Sequence, residues 1–119
     1  MRFMMMVKSA ESQGPPPQAL MDAMGKLVEE AITSGRMLAS GGLAPTATSK
    51  RVRLSHGQIT VIDGPFTEAK EVVGGFAIME FKSHEEAIQS AKEFMELHKK
   101  YWPNFEGMSE IRQVFGPES

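Results

Sequence analysis

The chain has 119 residues, 41% of them hydrophobic, with thirteen basic and fifteen acidic side chains and a formal net charge of −2; a single domain over residues 1–119 is expected. Neither sign of charge forms a long run, which argues against direct nucleic-acid binding or attachment to an anionic membrane. The absence of cysteine excludes disulfides, thiolate metal sites and a cysteine nucleophile, and fits a cytoplasmic location.

The run Arg2 to Lys8 is apolar and short, which predicts a buried strand and is too brief for a signal-peptide core or a membrane span. Ser9 to Gly14 and Pro15-Pro16-Pro17 break it into a loop. Leu20, Met24, Leu27, Val28 and Ala31 then recur at helical spacing, and Gly35 is a natural stop. Met37 to Leu43 is a weaker strand, because Gly41-Gly42 lowers its propensity.

Val52 and Leu54 alternate with arginines, His56-Gly57 supplies a turn, and Ile59 to Ile62 returns, which predicts a hairpin. Arg51 and Arg53, with Lys50 before them, are the densest basic cluster, expected to form a solvated strand edge rather than a binding patch. Gly75 to Lys82 reads as a strand, with Phe76 and Ile78 on one face and Ala77, Met79 and Phe81 on the other. Ser83, with Glu86 three residues on, is a capping box opening a helix that should end before Trp102-Pro103. His84 is expected on the surface of its first turn and His98 at the border of its last, where a cationic ring suits the dipole. Ser109 to Phe115 is the final strand.

The order is strand, helix, strand, then a hairpin insertion, then strand, helix, strand. Two such split βαβ halves make an α+β, ferredoxin-like sheet with both helices on one face. The other face needs a cover, and a second subunit supplying its own sheet gives a dimeric α+β barrel. A homodimer is therefore expected.

The segment Asp63 to Gly75 places Asp63, Glu68, Lys70 and Glu71 within nine positions. Gly64-Pro65 forces a turn, so Asp63 is expected at the end of a strand with its carboxylate held by the turn. Asp63 is then either a turn-stabilising residue or, in a desolvated cleft, an acid/base group. Glu68, Lys70 and Glu71 read either as substrate-binding charges or as a solvated loop. Arg112 on the last strand is a candidate anion anchor. His56, His84 and His98 lie in separate elements without ligand spacing, so neither a metal nor an organic cofactor is expected.

The string from Ile62 through Phe76, with Asp63-Gly64-Pro65-Phe66 joined to Glu68, Lys70-Glu71 and Gly74-Gly75-Phe76, resembles the signature of the DGPF branch of the YCII-related family. That resemblance implies a ferredoxin-like dimeric α+β barrel with its site in a cleft. The family includes a dehydrochlorinase acting on a chlorinated hydroxyhydroquinone; some members resemble muconolactone isomerases in fold, and DGPF members occur near alternative sigma factors. Members closer to the YCII type pair an aspartate with a histidine near the first helix. Ser9 to Gly35 holds no histidine here, which leaves His56 as the imidazole to be tested against Asp63. The expected function is binding of a small polar or aromatic molecule, with lyase-type or isomerase-type chemistry at Asp63. The alternative is a non-catalytic ligand-binding or regulatory module linked to transcription.

Overall fold

A computed structural model describes residues 1–116. The strands are β1 (Arg2–Ser9), β2 (Met37–Gly42), β3 (Lys50–Ser55), β4 (Gln58–Asp63), β5 (Val72–Glu80) and β6 (Gly107–Gln113), and the helices are α1 (Gln18–Thr33) and α2 (His84–Tyr101). Among the described residues four strands form one antiparallel sheet in the order β2-β5-β1-β6, while β3 and β4 form a separate two-stranded sheet. Each strand-helix-strand half therefore has a strand of the other half hydrogen-bonded between or beside its own.

Alternation along β1 sorts the layers. Phe3 and Met5 stand opposite Met79 and Ala77 of β5, and with Phe81 they pack against Ala31 of α1 and Ala87 and Ala91 of α2. Small alanines on the helices let the backbone approach the sheet closely, and the larger side chains come from the strands. Phe3 is fully buried, its ring 6.1 Å from that of Phe81 and edge-on to His84 at 5.0 Å. Met4, Met6, Phe76 and Ile78 occupy the opposite face, in register with Glu110 and Arg112 of β6. No helix lies on that face, because the core contains residues of both helices and only the Phe3 side of the sheet.

Local chemistry accounts for the helix ends. At the close of α1, Gly35 takes φ 80°, and the amides of Gly35 and Arg36 donate to the carbonyls of Ile32 and Ala31, satisfying the last turn as glycine in the left-handed region allows. For α2, Ser83 accepts from the Glu86 amide at 3.2 Å. The Glu86 carboxylate accepts from the Lys82 amide at 2.8 Å, one residue earlier than a capping box places it. Glu85 and Glu86 in the first turn and Lys99 and Lys100 in the last complement the dipole.

Strand boundaries move where glycine obscured them. β5 begins at Val72 because Gly75 pairs with Val7 and Gly42, so the low-propensity glycines are held by neighbours on both sides. β6 starts at Gly107, opposite Ser9. His98 does not border the helix end in solvent. It is buried, with Nδ1 donating to the Phe94 carbonyl at 3.0 Å and its ring 5.0 Å from both Phe94 and Phe105. The aromatic residues after α2 fold back over the imidazole, a tertiary contact that helical periodicity does not reveal.

Truncating Phe3 to alanine removes a large, fully buried core side chain and is expected to cost about 3–5 kcal/mol in urea unfolding, whereas Ile88→Ala on the exposed face of α2 should cost under about 1 kcal/mol.

Candidate functional site

The DGPF turn is fixed by three segments far apart in sequence. The Gly64 amide donates to the Ser49 carbonyl at 2.9 Å, and the Phe66 amide donates to Thr46 Oγ1 at 3.2 Å. Thr46 in turn donates through its hydroxyl and, at 2.9 Å, its amide to the two oxygens of Glu11. Glu11 lies in the loop after β1, and Gln13 of that loop exchanges hydrogen bonds of 2.7 and 2.8 Å with the backbone of Glu106. Position 64 admits only glycine, since an added Cβ would lie 1.6 Å from the Thr46 carbonyl oxygen. The peptide between Gly64 and Pro65 is cis.

With the turn anchored, the base of the β3–β4 hairpin is set. Lys50 stands opposite Asp63, and its Nζ is 2.8 Å from Asp63 Oδ1. Both side chains are more than 60% exposed, so in this setting the pair is worth under about 1 kcal/mol. Alternation puts Lys50, Val52 and Leu54 on one face with their partners Asp63, Val61 and Ile59. The other face carries Arg51 and Arg53 opposite Ile62 and Thr60. There the Arg51 guanidinium lies 3.7 Å over the ring of Phe66 and pairs with Glu68 at 2.9 Å. Phe66 is buried, covered by a flat cation that keeps its rim for anions. Arg51, Val52, Arg53, Ile62 and Glu68 line an open groove of about 440 Å³.

Among the sequence-derived candidates, then, Asp63 and Glu68 each meet a basic residue of β3. Lys70 and Glu71 are exposed in the loop before β5, and among the described residues they form no ion pair. His56 occupies the hairpin tip with φ 51° beside Gly57 at 75°, both positive as a two-residue turn of this hand requires. Five strand steps separate Gln58 from Asp63, so the imidazole is roughly 17 Å from the carboxylate and does not pair with it within the chain. Arg112 lies on the open face of the main sheet beside Met4, away from the hairpin. Among the described residues no three His, Asp or Glu side chains cluster as a metal site requires.

In the sequence, Lys50 and Arg51 read as a solvated edge, and Thr46 and Glu11 were not singled out. The arginines alternating with Val52 and Leu54 carried a signal, since a strand charged on one face and apolar on the other has two surfaces to satisfy. Nothing local marked Glu11 or Thr46.

The family model for the YCII-related domain matches residues 1–100. This chain belongs to the YCII-related family. It is also 30% identical over 87 residues to an uncharacterised protein, R00369, of Rhizobium meliloti (strain 1021), an overlap covering 73% of this chain and 69% of that protein. The DGPF segment, at residues 63–66, lies inside both the family match and the charged region described above. Among the described residues of this YCII-related chain, no helix is long and apolar enough to cross a membrane.

Two outcomes test the anchoring. Gly64→Ala should lower stability by about 1–3 kcal/mol in chemical unfolding, since the added methyl meets backbone that must move. Glu11 is held below the ordinary glutamate range by the Thr46 hydroxyl and then by the Thr46 amide. A carboxylate depressed in the folded state contributes stability that is complete above its unfolded pKa and is lost as pH falls through its folded one. The Thr46 amide resonance should therefore titrate with a midpoint below that of a free glutamate, and Glu11→Gln should abolish that titration.

Proposed function

We propose that this YCII-related protein is a cytoplasmic homodimer that binds a small polar or aromatic acid at the base of the hairpin, with Asp63 as the group that takes and returns a proton. Each protomer is read as one ferredoxin-like domain contributing half of an α+β barrel. The strand order β2-β5-β1-β6 and the uncovered Met4–Phe76 face support that architecture, and the cysteine-free composition supports the location.

One observation carries the reading. The hairpin register places a fixed carboxylate, its lysine partner and the apolar strip Val52–Val61 on a single face. An aromatic ring can lie beside the Lys50–Asp63 end of the strip while an acidic substituent meets Lys50 Nζ. In an isomerisation the Asp63 carboxylate would accept the proton of a C–H or O–H bond, the electron pair would remain on the ligand as an enolate-like anion stabilised by the cations, and the proton would return at another ligand atom; in an elimination that electron pair would instead expel the leaving group as an anion. Lys50 is the nearest such cation, with Arg51 on the far face of the same strand. Glu68 is assigned to holding Arg51. Lys70, Glu71 and Arg112 are assigned to ligand binding only through elements that a second protomer brings near.

The exposure of Asp63 in the isolated chain favours a second reading, a non-catalytic ligand-binding or regulatory module linked to transcription. The two readings share the ligand and differ in turnover.

A thermal-shift screen with benzoates, hydroxybenzoates and catechols tests both. At one hundred times Kd a ligand adds about 2.7 kcal/mol, which corresponds to a Tm rise on the order of 10 °C. At least one such compound should produce it in the wild type, and Lys50→Met should reduce it by more than half. If that compound is converted, Asp63→Asn should stop conversion with binding retained. Binding without conversion in the wild type selects the regulatory module, and a flat response across the panel removes both.

A further inference from the structure

The hairpin has a face that its own chain leaves bare. Val52, Leu54, Ile59 and Val61 are each at least two-thirds exposed, although as cross-strand neighbours they form a continuous apolar strip. Among the described residues the hairpin is joined to the body near its base, through Ser49, Thr46, the DGPF turn and the Arg51–Glu68 pair. An isolated two-stranded hairpin is marginal in water and needs a surface to pack on. A bare apolar strip of this kind is also a liability that natural proteins cover.

Whole-molecule dimensions agree. The radius of gyration is 15.9 Å, against about 13.5 Å for a compact domain of this length. The accessible surface is 8359 Å², against about 6,400 Å² for a monomer of this mass. An excess of about 2,000 Å² is in the range that each protomer of an obligate dimer buries. Charge selects the same occupant. Residues 50–63 hold three basic side chains and one acidic, which leaves ten basic and fourteen acidic for the rest of the chain. The hairpin is a cationic arm on an anionic body, and a second copy presents that body.

We propose that the β3–β4 hairpin is a clasping arm whose Val52–Leu54–Ile59–Val61 face docks on a second copy of this chain, and that the docked copy also covers the Lys50–Asp63 pair. This rests on the homodimer reading and specifies its interface. Lys50 and Asp63 end the same face as the apolar strip, so a partner that covers the strip walls in the carboxylate. The site at Asp63 is open in one protomer and enclosed in two.

Sedimentation of the full chain over a range of concentrations, with carbodiimide labelling of carboxylates read by mass spectrometry, tests this. The wild type should be a dimer with Asp63 protected. Leu54→Glu and Ile59→Glu, both at exposed positions, should keep the circular dichroism spectrum, weaken the dimer by at least about 30-fold as central interface residues do, and expose Asp63 to labelling. Ile32→Glu, at a comparably exposed position on α1, should change neither. A monomeric wild type overturns the arm and the homodimer together. A dimer that survives Leu54→Glu and Ile59→Glu, or an Asp63 labelled equally in all proteins, overturns the arm and leaves the homodimer. A dimer that behaves as expected but binds no compound of the aromatic-acid panel sustains the arm and removes the ligand reading.

Discussion

The contact between Gly64 and the Thr46 carbonyl governs where the chemistry-bearing residues lie. Because position 64 has no side chain, the turn after β4 can press against the segment before β3, and that closeness aligns two backbone-directed hydrogen bonds, from Gly64 to Ser49 and from Phe66 to Thr46. Thr46 passes the constraint to Glu11 and so to the end of the central strand β1. The hairpin is thereby tied at its base to the rigid sheet, while its remaining length is free of it. The fixed end determines where Asp63 sits, and the free length determines what can reach it.

The same division explains the shape of the protein. One face of the main sheet is filled by two helices contributing small residues, a packing in which the strands supply the large side chains Phe3, Met5, Met79 and Phe81. The other face carries Met4, Met6, Phe76 and Ile78 between the ion pairs Arg2–Glu80 and Lys8–Glu110. Methionine is well suited to a surface that adapts to an occupant. A chain this small cannot cover both faces of a four-stranded sheet and a projecting hairpin with two helices.

Periodicity and capping chemistry made the element order legible, because both are local. Ser83 with Glu86, Gly35, and His56-Gly57 each mark a boundary by a mechanism confined to a few residues, and each boundary falls there. The DGPF signature located the charged region for the same reason. What stayed hidden depends on tertiary contacts that no local pattern encodes. Arg51 looked like a solvated edge residue because nothing in Lys50 to Leu54 shows that Phe66 will lie beneath its guanidinium. Glu11 in its loop looked like any surface glutamate until Thr46 was brought to it. His98 has a helical neighbour in Phe94, but its burial is completed by Trp102 and Phe105 after the helix has ended. His56 and Asp63 were separable in principle, since a tight turn at one end of a hairpin and an aspartate at the other must lie a strand's length apart.

Solvent decides what the Lys50–Asp63 pair can do. In water a charge pair at this distance is weakly coupled. Removing water acts on both members at once: the attraction strengthens and each charge loses hydration. The distance between the two side chains need not change for this. A surface laid over Val52 and Val61 would alter the dielectric around Asp63 without moving it, so the residue fixed by Gly64 has its chemistry set by the apolar strip that begins next to it.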